Sequence, residues 1–375
     1  MESSFATGLE TWYASYGRDL PWRRTHSPWL IMLSEFILQQ TQVSQGTDYY
    51  LRFAERFPTP ESLAGASEEE VMRLWQGLGY YSRARHLHAA ARQIAQAGTF
   101  PGDYASVRAL PGVGDYTAAA VMSLAFGEPY AVVDGNVQRV LARHFGIGEP
   151  ADTTRGRKLL RALADDMLDC RHPALYNQAI MDFGAILCKP AAPLCDTCPL
   201  AATCQALHDH RVRELPVKSK RTAVRERYLT YIYTRTRDGY TLLRRRGSGD
   251  IWQGLFEFPL LESEAPLSPA EVSQSLETRW QTGNAQWTTD NGQRRLTLVA
   301  RDVCHQLTHR RLHADFYCLT LPQTGHEIAD DGWLVIKESD LDRYALPRLL
   351  EKLTVRLHGN NARHRRTDLP HGKVI

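Results

Sequence analysis

The chain has 375 residues, enough for two or three domains that each bury a core of their own. Its 43% hydrophobic and 23% charged residues are ordinary for a soluble protein, and no apolar run approaches the roughly 18–20 residues that span a bilayer. The net charge of +3 says little about partners. From the N-terminus, Met1-Glu2-Ser3-Ser4 lacks the basic start and apolar block of a secretion signal, which points to a cytoplasmic location. The first helix is expected to start at Pro28 after Ser27 and to run to about Val43, ahead of Gly46. Further helices are expected over 68–76, over 82–97 before Gly98, over 116–126 before Gly127, and over 137–145 before Gly146. Two more follow over 154–168 and 175–187.

The texture then changes. Residues 211–227 carry seven Lys or Arg against two Glu, which reads as a basic linker over 208–227. Beyond it, 228–233 and 240–243 are β-branched and aromatic, and Asp238-Gly239 between them reads as a hairpin turn. Strands are expected near 295–303, 314–321 and 332–336, with helices near 269–277 and 339–354. Arg356, Arg363, Arg365 and Arg366 make the last stretch, 355–375, a basic tail that need not be ordered. The sequence therefore divides into a mainly α half (1–207) and a smaller α+β domain (228–354).

Four of the seven cysteines fall in one short segment: Cys188, Cys195, Cys198 and Cys204. An odd cysteine count without a signal peptide argues against a disulfide framework. Pro190, Pro193 and Pro199 keep the segment out of helix, so four thiolates can converge on one centre. Thiolate chemistry alone leaves tetrahedral zinc and an iron–sulfur cluster both open. Cys170, Cys304 and Cys318 read as small buried apolar residues.

Three further features carry chemistry. Leu110-Pro111-Gly112-Val113-Gly114 lies between two helices, where paired glycines expose backbone N–H groups at a helix start, a geometry suited to a phosphate. Asp134, in Val133-Asp134-Gly135-Asn136, opens a helix; its plainest role is an N-cap, with a carboxylate pKa kept low by the amides and dipole. Glu35 shares an apolar helical stripe with Ile31 and Leu38, and is either buried with a raised pKa or paired with an arginine. Such a pair, pushed in opposite directions, divides into proton donor and cation stabiliser if the two meet across a cleft.

The cysteine spacing C-x6-C-x2-C-x5-C and the Leu-Pro-Gly-Val-Gly-x-x-Thr turn resemble the endonuclease III, or helix–hairpin–helix, superfamily of DNA glycosylases. With Leu20-Pro21-Trp22-Arg23, Ser34-Glu35-Phe36-Ile37-Leu38-Gln39-Gln40-Thr41 and Gly77-Leu78-Gly79-Tyr80-Tyr81, the chain is most similar to the MutY family of adenine DNA glycosylases. The resemblance implies a mainly α helix–hairpin–helix domain with a [4Fe–4S] loop on the four cysteines, followed by an α+β Nudix-like domain. It implies a monomer acting on duplex DNA that holds adenine opposite 8-oxoguanine or guanine, with no membrane partner. Glu35 would then protonate the flipped adenine at N7, and Asp134 would stabilise the sugar cation, directly or through a covalent intermediate, with Asn136 orienting it. Arg18, Trp22, Arg23 and Gln178 would line the adenine pocket. Gln40, Thr41, Leu78 and Tyr80 would fill the gap left in the duplex, offsetting a stacking cost of about a few kcal/mol. Gly112, Val113 and Gly114 would grip the DNA backbone.

One position sets the reaction type. Glycosylase–lyases of the superfamily carry a lysine two residues past the last hairpin glycine, and this chain has Tyr116, which cannot form an imine. A monofunctional glycosylase is expected, with Tyr116 hydrogen-bonding Asp134 or a phosphate. In the second half, Trp252-Gln253-Gly254-Leu255-Phe256-Glu257-Phe258-Pro259 resembles a Nudix signature, but no R-E-x-x-E-E-x-G helix supplies the carboxylates for pyrophosphatase chemistry. His305-Gln306-Leu307-Thr308-His309 stands where the family reads 8-oxoguanine with H-x-F-S-H; Thr308 and His309 keep the polar groups, and Leu307 replaces the aromatic ring. Tyr116 and the second domain weigh against a lyase acting on oxidised pyrimidines, and Glu35 with Asp134 against a non-catalytic DNA-binding protein.

Overall fold

The computed structural model describes residues 2–219, 224–280, 295–307, 309–322, 324–325, 328 and 332–358. The chain forms two compact units, Met1–Leu74 with Ser82–Arg221, and Trp75–Tyr81 with Thr222–Ile375. The segment 75–81 thus leaves the first unit, which sequence texture did not signal.

The first unit is helical. It contains α1 (Glu2–Tyr16), α2 (Pro28–Leu38), α3 (Val43–Arg56), α4 (Pro60–Ala64), α5 (Glu68–Leu74), α6 (Ser82–Ala97), α7 (Tyr104–Arg108), α8 (Asp115–Phe126), α9 (Gly135–His144), α10 (Thr154–Met167), α11 (Pro173–Asp182) and α12 (Gln205–His208). The Ser27 side chain caps α2 as expected, accepting from Leu30 N. However, α2 stops at Leu38 rather than near Val43, and α3 starts afresh at Val43 and runs through Gly46. The turn between them is held by Arg83 of α6, whose Nη1 donates to the carbonyls of Phe36 (2.8 Å), Ile37 (2.9 Å) and Gln39. Those are the carbonyls a helix C-terminus leaves without partners, so a cation there ends the helix cleanly. At Gly46 a Cβ would come within 2.8 Å of the Leu38 side chain, which is why a helix-weakening glycine sits inside α3. The expected helix 175–187 is α11 followed by a widened turn, Phe183–Leu187.

A core of Leu9, Trp12, Ala119, Ala120, Val132, Val137, Leu141, Tyr176, Ile180 and Phe183 joins α1, α8, α9 and α11. Fully burying side chains of this size contributes about 1.5–3 kcal/mol each, so these four helices form the rigid frame of the unit.

The second unit holds β1 (Arg225–Arg235), β2 (Tyr240–Arg245), β3 (Phe256–Glu257), β4 (Leu260–Ser263), α13 (Pro269–Trp280), β5 (Arg295–Gln306), β6 (Arg310–Thr320), β7 (Leu334–Lys337) and α14 (Arg348–His358). Its sheets have the orders β4-β1-β6-β5 and β3-β2-β7, with β1 parallel to β6. The expected 228–243 hairpin is therefore corrected. The turn at Asp238-Gly239 forms, but β1 and β2 enter different sheets, because the Thr234 hydroxyl takes the Leu242 N–H (3.0 Å) that a ladder would use. The start of the expected tail, including Arg356, is the end of α14, while 359–375 lie outside the described residues. The expected linker packs as far as Ser219 on the helical unit, through Ala151 N to Val217 O (3.0 Å) and Asp152 to Ser219.

Candidate active site

Three helices converge on the chemistry. Glu35 lies in the last turn of α2, Tyr116 in the first turn of α8, and Asp134 caps α9. Glu35 is 6% exposed. Burial pushes its carboxyl up to about 7; the Tyr116 hydroxyl, donating to it, and the Arg23 charge resist that rise, while the Asp134 charge adds to it. The Tyr116 phenol is pushed well up by burial and by both carboxylates, so it stays a neutral donor. Its hydroxyl pairs with Glu35 rather than the expected Asp134 and sits 3.5 Å from Met181 Sδ.

Asp134 Oδ1 accepts from Asn136 N (2.9 Å) and Val137 N (2.8 Å), and Oδ2 accepts from Asn136 Nδ2 (2.7 Å). The expected cap is therefore present. The expected low pKa is not: burial raises the Asp134 carboxyl above its ordinary value, outweighing the hydrogen bonds and the Arg139 charge that pull it down. Glu35 and Asp134 both rise, and they differ in what each accepts. Glu35 has one resisting donor named above, whereas Asp134 has three, so Asp134 is the group built to be an anion.

Asn136 is held in turn. Its Oδ1 accepts from Arg139 Nη2 (2.8 Å), and Arg139 also donates to Gly184 O (2.7 Å) and Cys188 O (2.8 Å). One turn further on, Arg143 donates to Lys189 O (2.8 Å), Pro190 O (3.0 Å) and Leu215 O (3.0 Å), with Cys188 Sγ at 3.4 Å. Asn136, Arg139 and Arg143 fall at i, i+3 and i+7, one face of α9, and that spacing was readable in the sequence.

A second cluster surrounds Asp182, which is fully buried. Arg23 donates to both its oxygens (2.8 Å each), and Arg18 donates through Nε (3.0 Å) and its backbone N–H (2.9 Å). Burial alone would raise Asp182; the two guanidiniums more than offset it and hold it low. Gln178 accepts from the Tyr13 hydroxyl (2.8 Å), and Trp22 packs edge-on to Tyr50. Arg18, Arg23 and Gln178 are thus brought to one place, with Arg23 also acting on Glu35. Asp182 was missed, although it stands four residues after Gln178 on the same helical face.

The remaining expected positions are dispersed over loops. Gln40 and Tyr80 are exposed and adopt left-handed backbone (φ 55° and 47°), which costs on the order of 1–3 kcal/mol per non-glycine residue and is concentrated at functional sites. Thr41 receives Arg83 Nη2 (3.3 Å), and Leu78 is buried. At the α7–α8 turn, Gly112 has φ 75° and a Cβ there would meet His86 Cβ at 2.5 Å, so only glycine fits. Val113 is buried and Gly114 caps α8 with no side chain in front of the amides. In the second unit, His309 is exposed and Leu307 packs on the core; Thr308 lies outside the described residues.

Cys188, Cys195, Cys198 and Cys204 are free thiols that line one cavity with Val140, Leu187 and Leu200. Four thiolates on tetrahedral zinc at 2.3 Å would stand roughly 3.8 Å apart. Among the described residues, no three of these sulfurs lie within 4.8 Å of one another. Four thiols around one cavity are a donor set that fits a [4Fe–4S] cluster. Cys170 and Cys304 are exposed rather than buried, and only Cys318 is in a core, since β5 turns Cys304 outward.

No helix among the described residues is long and apolar enough to cross a membrane. The two halves define the class of protein: residues 33–164 match the HhH-GPD superfamily of base excision DNA repair proteins, and residues 230–355 match the NUDIX domain. The chain is 34% identical over 258 residues to an adenine DNA glycosylase of Buchnera aphidicola subsp. Baizongia pistaciae, covering 68% of this chain and 73% of that one. An adenine DNA glycosylase of Schizosaccharomyces pombe is 28% identical over 92% of this chain and 87% of its own. The solved structure of a thermostable thymine-DNA glycosylase superposes with a TM-score of 0.52 at 31% identity, covering 56% of this chain and 97% of that one. The chain belongs to the MutY-type adenine DNA glycosylases of base excision repair.

Proposed function

We propose that the protein removes adenine paired with 8-oxoguanine or guanine in duplex DNA, as a monofunctional hydrolase, and that the four cysteines hold a [4Fe–4S] cluster. The observation that carries the reading is the buried Glu35 carboxyl, raised to about 7 and set beside the charge of Asp134. A flipped adenine in that pocket receives the Glu35 proton on its ring, so the N-glycosidic bond breaks with its electron pair leaving on a neutral base. The Asp134 carboxylate faces the oxocarbenium ion left on the sugar, and water completes hydrolysis. Arg18, Trp22, Arg23 and Gln178 shape the pocket, with Asp182 fixing both arginines. Gly112, Val113 and Gly114 present the uncapped amides of α8 to a phosphate. Gln40, Thr41, Leu78 and Tyr80 fill the emptied stack, and Thr308 and His309 contact the opposing base.

When bound, the cluster supplies a rigid DNA-contacting loop rather than a step of the reaction, and Arg139 and Arg143 clasp that loop. The test uses duplexes with adenine opposite 8-oxoguanine, adenine opposite guanine, and thymine glycol. Adenine release with no borohydride-trapped adduct is expected. Cleavage of thymine glycol alone would overturn the reading.

A further inference from the structure

Away from the catalytic pocket, Glu10 of α1 meets the turn that precedes α11. One ligating atom from each of Glu10, Asp169 and His172 lies within 4.8 Å of the others. His172 Nδ1 is 3.1 Å from Asp169 Oδ2. Two adjacent N and O ligands of a tetrahedral zinc stand roughly 3.3 Å apart, so this contact has room to share a metal ion instead of a proton.

Two buried polar groups, one on α1 and one on α11, lack any hydrogen-bond partner among the described residues. One is Glu10 Oε1. The other is the hydroxyl of Tyr176, a residue 1% exposed whose phenol is raised by burial and by the Glu10 charge. Buried polar groups are nearly always satisfied, so an unpartnered buried carboxylate oxygen asks for a donor or a cation. Asp169 also accepts from Arg171 N (3.0 Å) and Nε (3.2 Å), and it is held down to about 2 by its hydrogen bonds. It is thus an anion throughout the neutral range. The Arg171 side chain is exposed and free to swing into water as a second cation arrives.

We propose that Glu10, Asp169 and His172 form a divalent-cation site of zinc type, with Tyr176 donating to the Glu10 carboxylate or to a metal-bound water. Mixed imidazole and carboxylate donors select zinc over magnesium, which takes oxygen ligands almost alone. The ion staples α1 to the start of α11. Those two helices carry Tyr13 and Gln178, and α11 also carries Asp182, so the staple steadies the frame of the base pocket without touching it.

The test is zinc titration of the cysteine-cluster-loaded protein by calorimetry and thermal melting, with the visible absorbance of the cluster followed in parallel. Wild type is expected to take up one equivalent, melt at higher temperature with zinc, and keep its absorbance. Glu10→Gln and His172→Asn, which add no bulk, are each expected to weaken uptake by more than roughly tenfold and to cancel the melting shift. No zinc uptake by wild type, equal uptake by both variants, or bleaching of the cluster in step with uptake would each overturn the assignment.

Discussion

At the scale of single residues, the proposed general acid is a carboxyl whose burial is a liability for folding. Glu35 binds its proton more tightly in the folded chain, near 7, than unfolded, near 4.5. Between those values the folded state holds more protons than the unfolded state, so stability falls as pH rises. The loss is absent below 4.5 and complete above 7, on the order of 3 kcal/mol for a group this buried. Glu35→Gln is therefore expected to abolish excision and yet to stabilise the protein at pH 8, by up to about 3 kcal/mol, with little gain at pH 4.5. Chemical denaturation at the two values checks it; equal effects at both would show that Glu35 is not protonated near neutrality. In the proposed mechanism the same proton sets the rate. Single-turnover excision by wild type is expected to decline as pH rises through about 7, because the acid is then lost.

Asp182 presents the opposite case, an anion buried without exposure and held by Arg18 and Arg23. Removing one partner of such a group costs about 3–5 kcal/mol, because the remaining charges stay buried and unmatched. Asp182→Asn is expected to destabilise the helical unit by that amount and to weaken adenine excision through misplaced arginines, as read by melting temperature and by the rise in substrate needed for half-maximal rate.

At the scale of elements, α9 links two parts of the molecule that the sequence presents separately. Its first residue is capped by Asp134, and one face carries Arg139 and Arg143 to the backbone of the cysteine loop, with Asn136 held between Asp134 and Arg139. Gly184 makes the approach close: a Cβ there would lie 2.7 Å from Asn136 Cβ and 2.9 Å from its carbonyl oxygen. Arg139→Gln is expected to leave DNA binding nearly intact and to slow excision by roughly 10–100-fold, the loss of one charge-assisted hydrogen bond of about 1.5–3 kcal/mol orienting Asp134. Gly184→Ala should do the same by pushing Asn136 away. A variant that lost binding and rate together would assign Arg139 to the loop alone.

Local signals carried much of this. Glycine stops, the Ser27 cap and the Asp134 cap were legible because each acts within four residues of itself. The end of α2 was not, since it is set by Arg83, more than forty residues away. Nor was the rise of the Asp134 pKa, because burial is a property of the packed helices and not of its cap. The two-sheet split of β1 and β2 turned on the hydroxyl of one threonine.

At the scale of the whole molecule, two compact units with cores of their own imply two separate stabilities. The helical unit is built around Leu9, Trp12, Leu141 and Phe183, and the second around Tyr231, Tyr233, Phe258, Phe316 and Leu350. Single two-state unfolding is not expected of such a chain. The four clustered cysteines belong wholly to the first unit, where Arg143 reaches from α9 to Lys189, Pro190 and Leu215. Four half-buried thiols line one cavity, and burial pushes Cys198 up to about 11. Binding of a group to the folded state alone adds to its stability, and its removal takes that away. Oxidative removal of the proposed cluster is therefore expected to lower the first melting transition and abolish excision, while the second transition stays where it was. Differential scanning calorimetry on the loaded and stripped full-length protein reads both transitions in one scan. A downward shift of both together would mean that the two cores unfold as one, and an unmoved first transition would mean that the cysteines hold nothing the helical fold depends on.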